Sequence, residues 1–241
     1  MTNEAIGTPR QRAHAQTVND IKQMARAQLA TEGSSGLSLR AIARQLGIVS
    51  SAVYRYVPSR DELLTMLIED AYNSLGNAVE TAQARVRRAD LAKRWLAIGR
   101  AVRGWAIERP AEYALLYGSP VPGYAAPPDR TAGPGSRVTL LIVDLLVAAD
   151  KAGVTPIEPA PPIPAVVRRD MQTALESLDI ELDNELLVRG LLAWTALYGM
   201  VSFELFGQYV GSVQHHSAFF DHQMSRLAGI IGLADRPTSN A

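Results

Sequence analysis

Residues 50–64, SSAVYRYVPSRDELL, place two tyrosine hydroxyls and an arginine beside a helix break. Tyr54 and Tyr56 lie two positions apart, and Val57-Pro58 separates them from Arg60. A helix that carries both tyrosines must end by Val57, because the residue before a proline is pushed out of the α region. Hydroxyl and guanidinium groups donate well to phosphate oxygens. The segment therefore combines a helix break with donors suited to an anionic partner.

The charge of the chain is unevenly distributed. Its formal net charge is zero, from 24 Lys/Arg and 24 Asp/Glu. Residues 1–60 nevertheless contain eight Lys/Arg and three Asp/Glu, which gives them a charge of +5 and leaves −5 for the rest. The field that a partner meets is local, within about 8–10 Å at physiological salt. A basic N-terminal module on an acidic body fits a phosphate-binding surface at one end of the chain.

The composition indicates an ordinary soluble globular protein. The chain has 241 residues, 47% of them hydrophobic and 20% charged, enough for one large domain or two smaller ones. The absence of cysteine excludes disulfides and thiolate metal sites and suits a reducing interior. The first residues do not resemble a signal peptide, and no stretch offers the roughly 18 uninterrupted apolar residues of a membrane span. We therefore expect a cytoplasmic protein without a membrane partner.

The N-terminal part is predicted to contain four helices. Apolar residues recur at helical spacing from Gln11 to Ala30, which predicts the first. Gly47 is a natural terminator for the second, LRAIARQLG, and Pro58 for the third, AVYRYV. Serine side chains can cap the second, third and fourth helices from Ser38, from Ser50 or Ser51, and from Ser59.

The rest of the chain is predicted to be helical apart from two loops. Residues 118–136 hold too many Pro and Gly for regular structure, and residues 154–164 indicate a second loop with polyproline character. Helices are expected over about 91–108, from Pro110, over VTLLIVDLLVAADKAG, over about 183–209 and over about 215–233. No β-type alternation appears. The predicted fold class is all-α, with three short helices followed by a larger helical bundle.

Residues 39–56 match a helix-turn-helix position by position. Gly47 fits the turn, because glycine adopts a positive φ at no steric cost. Ala43 fits the point where the two helices cross, since a larger side chain would force them apart. The apolar positions that lock the pair together hold Ile42, Leu46, Ile48 and Val53. In such a unit the second helix lies in the major groove of DNA, with its N-terminal residues towards the base edges.

The run LSLRAIARQLGIVSSAVYRYVPSRDELL resembles the DNA-binding region of TetR-type (TetR/AcrR) transcriptional regulators. The resemblance in detail covers about residues 15–70. The sequence departs from the usual pattern at Tyr56, Val57 and Arg60, where the family commonly has histidine, phenylalanine and lysine. Each change keeps a donor or an apolar side chain. The resemblance implies a helix-turn-helix DNA-binding domain over residues 1–60 and a helical ligand-binding and dimerisation domain over residues 61–241.

The resemblance also implies a role for particular side chains on DNA. Contacts with backbone phosphates are expected from Ser38, Arg40, Tyr54, Tyr56 and Arg60. Residues near base edges are expected to be Ser50, Ser51, Ala52 and Arg55. Arg55 is the best candidate for guanine readout, with a phosphate contact as its alternative. Core packing is the alternative for Tyr56, and a solvated face is the preferred interpretation of Arg44.

Members of this family dimerise through their last two long helices, so the resemblance implies a homodimer. The helix ELLVRGLLAWTALYGMVSFELFGQYV is apolar nearly all round, which core packing alone would also explain. Trp194, Tyr198 and Gly199 resemble a C-terminal subtype marked by Trp, His and Gly, with tyrosine in place of the histidine. The resemblance further implies a small-molecule cavity, and five aromatic residues could line it: Trp105, Tyr113, Tyr117, Trp194 and Tyr198. Core packing is the alternative for each of them.

Two other classes of function are weighed against a regulator. The sequence has no GxSxG, P-loop, GxGxxG or HExxH motif of an enzyme. A metal site is one interpretation of His215, His216 and His222, and an exposed or interface role is the other. A non-specific DNA binder would carry many lysines, whereas this chain has only Lys22, Lys93 and Lys151. We therefore expect no enzyme activity, cofactor or metal, but a repressor that a small molecule releases from a near-palindromic DNA operator.

Overall fold

The computed structural model describes residues 8–156 and 160–233. Over these residues the chain forms ten α-helices and no strand, which confirms the all-α prediction. A short 3₁₀ turn, Ser34–Gly36, precedes the second helix. In chain order the helices are α1 (Pro9–Glu32), α2 (Leu39–Gln45), α3 (Ser50–Val53), α4 (Arg60–Ala84), α5 (Leu91–Glu108), α6 (Pro110–Tyr117), α7 (Pro128–Lys151), α8 (Ala165–Ser177), α9 (Asn184–Leu205) and α10 (His216–Ile231).

The chain folds into two compact units. The first contains the residues up to Asn73 together with Arg109–Pro134, and the second contains Ser74–Glu108 together with the residues from Gly135 onwards. Helices α4 and α7 each contribute to both units. These two units are defined by how the residues pack together. The predicted division at residue 60 separates a DNA-binding domain from a ligand-binding domain by function, and it stays a prediction.

The first unit has a core built by α1 to α4. Three residues of the predicted helix-turn-helix, Ile42, Ala43 and Val53, are fully buried in it, and two more, Leu46 and Ile48, pack against it. Later segments of the chain extend the same core through Ala111, Leu115, Val121 and Tyr124. The helix-turn-helix therefore shares its core with α6 and with the segment after α6.

The hydroxyl of Tyr124 fixes that segment to α4. It lies 2.8 Å from the hydroxyl oxygen of Thr65, which is buried. Burial raises the pKa of Tyr124 and so disfavours the ionised phenolate. The loop after α6 is thus tied to the first turns of α4 by packing and by a hydrogen bond.

The expectation that residues 118–136 lack regular structure is wrong for their second part. Helix α7 begins at Pro128 and includes Pro134. Pro128 lies in the first turn, where the N–H that it lacks has no partner in any case. Arg130 then donates to the carboxylates of Glu62 and Glu69 on α4 at 2.8 and 2.9 Å. Ion pairs with residues far along the chain thus stabilise a helix that the local composition disfavours.

The second unit packs α5 against α9 and α10. Trp95 of α5 is fully buried, and its Nε1 donates to the carbonyl oxygen of Met224 at 3.0 Å. Gly99 lies against the side chain of Met224, where a Cβ atom would overlap it. Arg103 of α5 donates twice to Glu204 of α9, at 2.7 and 2.6 Å. Close packing and a bidentate ion pair hold the three helices together.

Two further elements, α8 and α9, differ from those that the sequence predicts. Helix α8 is not predicted, although Val167, Met171 and Leu175 recur at helical spacing and lie on its less exposed side. Helix α9 ends at Leu205 rather than near residue 209, and Gly207 and Gly211 beyond it adopt positive φ. Part of the second predicted loop, residues 157–159, lies outside the described residues.

Helices α7 and α9 are long and apolar enough to cross a membrane by length and composition. Both carry acidic residues that are paired with other helices of the protein. Asp144 of α7 accepts from the buried Arg94 of α5 at 2.8 Å, and Glu204 of α9 accepts from Arg103. Such pairs are typical of helices packed inside a helical protein body.

Candidate nucleic-acid interface

A glycine turn sets α3 against α2. Gly47 has a φ of +68°, a backbone conformation that residues with a Cβ rarely adopt. The N–H of Ile48 donates to the carbonyl of Ala43 at 3.0 Å, and the N–H of Gly47 donates to that of Arg44 at 3.2 Å. These two bonds close the end of α2. Gly47 is therefore the turn glycine that the sequence predicts.

Helix α3 is shorter than predicted and has a different cap. It spans Ser50–Val53, and Val49 is its N-cap, without a side-chain capping bond. The predicted cap at Ser50 or Ser51 is wrong, because Ser50 is already the first helical residue. Beyond Val53 the chain continues in hydrogen-bonded turns, in which the N–H groups of Tyr56 and Val57 both donate to the carbonyl of Val53.

One side of α3 and of the turn after it faces solvent. Val53 lies in the core, and Ala52 is half-buried. Tyr54 has 43% of its surface exposed. We define the α3 surface as the four exposed residues of this segment, Ser50, Ser51, Tyr54 and Arg55. The structure therefore brings together all the predicted base-edge residues except Ala52, with Tyr54 beside them.

The start of α2 presents two of the predicted phosphate contacts. Ser38 is the N-cap, and its hydroxyl oxygen accepts from the N–H of Ala41 at 3.3 Å. Its own N–H donates to Oε1 of the buried Gln28 at 3.0 Å. A hydroxyl that accepts one hydrogen bond can still donate its proton. Arg40, two residues on, is exposed.

Tyr56 and Arg60 have partners inside the protein that the sequence does not reveal. The ring of Tyr56 packs on that of His14 in α1, with centroids 4.9 Å apart, and Tyr56 is half-buried. Nη2 of Arg60 donates to the carbonyl oxygen of Ser34 at 2.7 Å. Both residues thus hold the first unit together, and their predicted contacts with phosphate remain predictions.

The basic residues of this unit are of two kinds. Lys22 and Arg26 form ion pairs with Asp70 at 2.8 and 2.6 Å, so their charge is compensated inside the protein. Other arginines are exposed and have no acidic partner within the part of the chain that the structure describes: Arg10, Arg12, Arg40, Arg44 and Arg55. The uncompensated charge therefore lies at the start of α1, on α2 and beside α3.

Comparison with known proteins identifies the family. The family described as "Bacterial regulatory proteins, tetR family" matches residues 21–67. The one described as "Tetracyclin repressor-like, C-terminal domain" matches residues 95–227, more than half of the chain. The chain belongs to the TetR family. It is a DNA-binding transcription regulator, and regulators of the TetR family are not normally enzymes.

Relatives of similar length support the same assignment for this TetR-family chain. The HTH-type transcriptional regulators Rv1816 of Mycobacterium tuberculosis and Mb1846 of Mycobacterium bovis are each 42% identical over 228 residues. These alignments cover 92% of this chain and 95% of each relative. The crystal structure of the regulatory protein SCO4313 is 36% identical, with a TM-score of 0.76 over 92% of this chain and all of that one. The TetR-family regulator PfmR from Thermus thermophilus, 16% identical with a TM-score of 0.58 over 89% of this chain and 99% of that one, shares the fold.

The aromatic residues predicted for an effector cavity occur in both compact units of this TetR-family protein. Tyr113 and Tyr117 of α6 pack together in the first, with ring centroids 5.1 Å apart. Trp194 and Tyr198 of α9 pair at 5.8 Å in the second. Trp105, also in the second, is buried and donates to the hydroxyl of Ser74 at 3.0 Å. Nε1 of Trp194 is buried and has no hydrogen-bond partner among the described residues, so it is the donor in this set that a ligand could satisfy.

The histidines at the start of α10 have surroundings other than a carboxylate cluster. Asp221 accepts two hydrogen bonds from Arg100 of α5, at 2.9 and 2.7 Å, and these lower its pKa. His216 lies 6.1 Å from the ring of Tyr209. Within residues 8–156 and 160–233 no three His, Cys, Asp or Glu side chains form a group that could hold a metal ion. The subtype marked by Trp, His and Gly stays a prediction.

Proposed function

We propose that this TetR-family regulator is a repressor that a small molecule releases from its DNA operator. We further propose that it acts in the cytoplasm and catalyses no reaction. The observation that carries the proposal is the α3 surface, where hydroxyl and guanidinium groups are exposed while Val53, between them, is buried. A short helix held by a glycine turn, with polar groups outward, suits insertion into the major groove.

The proposed roles of single residues are those that the family resemblance implies. Tyr54, Arg40 and Ser38 contact backbone phosphates, and these contacts set the register of the protein on DNA. Ser50, Ser51 and Arg55 face base edges, with Ala52 beside them, and Arg55 is suited to the O6 and N7 acceptors of guanine. Tyr56 and Arg60 add phosphate contacts while they keep their partners inside the protein.

A second copy of the chain is proposed to cover α9 and α10. Large apolar side chains are exposed along this part of the chain: Leu191, Leu192, Phe203, Phe206, Val210 and Ile230. A Cβ atom at Gly199 of α9 would meet no other atom within 4 Å, so the helix is open there as well. Exposed apolar surface of this kind favours association. A two-fold homodimer presents two helix-turn-helix units about one helical turn of DNA apart, ~34 Å or somewhat more. Its symmetry therefore requires a near-palindromic operator.

The effector is proposed to be a small molecule bound by aromatic side chains outside the helix-turn-helix. The unsatisfied Nε1 of Trp194 supports a ligand with a hydrogen-bond acceptor, since a buried donor without a partner is costly. Trp105 and Tyr198, in the same compact unit as Trp194, are the other proposed contacts. Binding there would release the operator by favouring a conformation in which the spacing of the two helix-turn-helix units no longer fits the two half-sites.

Selection of bound fragments from the genome of origin tests this proposal. The full-length protein should select fragments upstream of particular genes, and loss of the protein should raise transcription of those genes. Tyr54→Ala should weaken binding to every sequence, by about three- to tenfold for a lost hydrogen bond. Gln172→Ala, an exposed change in α8 of the second unit, should bind as the wild type does. Failure to select any DNA at low salt, or lower transcription on loss of the protein, would show that the repressor proposal is wrong.

A further inference from the structure

Val49 is an apolar residue exposed at the N-terminal end of α3. Its exposed fraction is 68%, and it has extended backbone angles, φ −67° and ψ 141°. Successive side chains of an extended segment point to opposite sides. Ile48, the residue before it, packs against the core of the first unit. Val49 therefore points away from that core, beside Ser50 and Ser51 of the α3 surface.

Neither packing nor helix capping explains a valine at this position. Its side chain is mostly outside the core, so it gains little from burial. As an N-cap it offers no side-chain oxygen to the first N–H groups of α3, whereas serine or threonine would offer one. What valine does provide is two methyl groups at the end of the helix that enters the groove.

We propose that Val49 recognises the C5 methyl group of a thymine in each half of the operator. The inference rests on the proposed function, in which the N-terminal end of α3 faces base edges. The thymine methyl is the apolar group that base pairs expose in the major groove, and apolar side chains contact it there. The hydroxyl and guanidinium groups of the α3 surface can form hydrogen bonds with donors and acceptors on the base edges. Val49 adds a contact that distinguishes thymine from cytosine without a hydrogen bond.

Replacement of single thymines by deoxyuridine tests this contact directly, because it removes only the methyl group. An operator is first selected with the full-length wild-type protein. Each thymine of a half-site is then changed to deoxyuridine, symmetrically in both halves, and the dissociation constant is measured at fixed salt. One position should weaken binding by about three- to fivefold per half-site, the value expected for one buried methyl-sized group. The other thymines should give smaller changes.

A matched pair of variants separates the methyl contact from helix capping. Val49→Thr and Val49→Ser both supply a capping hydroxyl, but only threonine keeps a methyl group. We expect Val49→Thr to retain the preference for thymine over deoxyuridine at that one position. Val49→Ser should reduce the ratio of the two dissociation constants, deoxyuridine to thymine, to about one at that position and leave it unchanged at the other thymines. Since both hydroxyls can cap α3, Val49→Thr and Val49→Ser should unfold at similar temperatures.

The possible failures are distinguishable. One outcome is that the wild type selects DNA while the effect of replacing each thymine by deoxyuridine is the same whichever residue stands at position 49. In that case this inference is overturned and the proposed function stands. If Val49→Ser keeps the full preference for thymine, a methyl contact from residue 49 is excluded in the same way. If the wild type selects no DNA at all, the proposed function falls and this inference falls with it.

Discussion

Arg60 shows how one side chain of the DNA-binding unit can serve two partners. Its guanidinium donates to the carbonyl of Ser34 at 2.7 Å, and the side chain is 34% exposed. A guanidinium has five N–H donors in a planar fork, so one internal bond leaves others for a phosphate. Arg60 thus ties the 3₁₀ turn before α2 to the start of α4 even when no DNA is present.

Two arginine substitutions should separate these roles. Arg60→Gln removes a charge and the bond to Ser34, so it should lower the free energy of unfolding by about 1 kcal/mol as well as the affinity for DNA. Arg40→Gln removes a charge from an exposed position and should lower affinity alone. Each lost phosphate contact should reduce the slope of log affinity against log salt by about 0.9. Thermal unfolding and DNA titration over a salt series measure both effects, and equal losses of stability in the two variants would contradict the assignment.

The residues of the helix-turn-helix could be predicted from sequence because their roles are local. Gly47 and Ala43 lie four positions apart: the turn needs a residue that adopts positive φ, and the helix crossing needs a small side chain. His14 and Ser34, the partners of Tyr56 and Arg60, could not be predicted. They are distant in sequence, and nothing in their neighbourhoods marks them. The cap of α3 was missed because two serines follow Val49 and match the usual capping preference.

At the scale of secondary-structure elements, the turn at Gly47 decides how α3 is presented. The hydrogen bonds from Gly47 and Ile48 end α2, and the next residues begin α3 almost at once. No atom lies within 4 Å of a Cβ placed on Gly47. The requirement for glycine is therefore one of backbone conformation and not of space.

Two glycine-to-alanine substitutions should change the free energy of unfolding in opposite directions. Gly47→Ala forces a residue with a Cβ into positive φ and should destabilise by about 1–2 kcal/mol. Gly104→Ala, in α5, also meets no atom within 4 Å but lies inside a helix, so it should stabilise by about 0.5–1 kcal/mol. Denaturant unfolding measures both. A destabilised Gly104→Ala, or a neutral Gly47→Ala, would refute the conformational explanation.

The ion pair between α5 and α10 should make stability depend on pH. Arg100 lowers the pKa of Asp221 below its ordinary value of 3.8, mainly through their hydrogen bonds. A carboxyl whose pKa is lower in the folded state stabilises at higher pH, and this contribution is lost as pH falls through the lowered pKa.

Asp221→Asn should therefore lower stability at pH 7, by about 0.2–1 kcal/mol for a partly exposed pair. The difference from the wild type should shrink as the pH falls below 3.8. Glu181→Gln is a suitable control, since Glu181 is exposed and has no ion pair among the described residues. Melting temperatures between pH 7 and pH 3 measure the effect, and a difference that grows on acidification would contradict the sign.

The elements of the chain were predictable where packing leaves a periodic pattern. Helix α5 was predicted from residue 91 to 108 because its apolar residues line one face. Helix α8 was missed although Val167, Met171 and Leu175 recur at helical spacing in it, and only Leu175 is buried. The start of α7 was missed because Arg130 is held by Glu62 and Glu69, two carboxylates that only the folded chain brings near it.

At the scale of the whole molecule, the exposed apolar side chains of α9 and α10 are the feature that a single chain does not explain. Leu192 is 55% exposed and Phe203 is 52% exposed. Both lie on a helix that the sequence already marks as apolar nearly all round. Sequence could not say which of its faces is internal, because a face buried in the core and a face buried against a partner have the same composition.

A charge placed on α9 should prevent association. Leu192→Glu should give a monomer by sedimentation and weaken operator binding at least tenfold, because one helix-turn-helix unit then binds without the other. Leu178→Glu makes the same change at a residue that is 52% exposed, just after α8, and should remain a dimer. A dimeric Leu192→Glu protein with normal operator affinity would exclude this face of α9 from the interface.

The packing of Val121 and Tyr124 on the helix-turn-helix core has a consequence for engineering. A chimeric regulator that takes only residues 1–73 from this chain would leave the apolar surface under those side chains uncovered. It would also leave Glu62 and Glu69 without Arg130. The DNA-binding unit that could be transferred is discontinuous in sequence. A chimera that retains its DNA specificity must include residues 109–134 as well as the N-terminal segment.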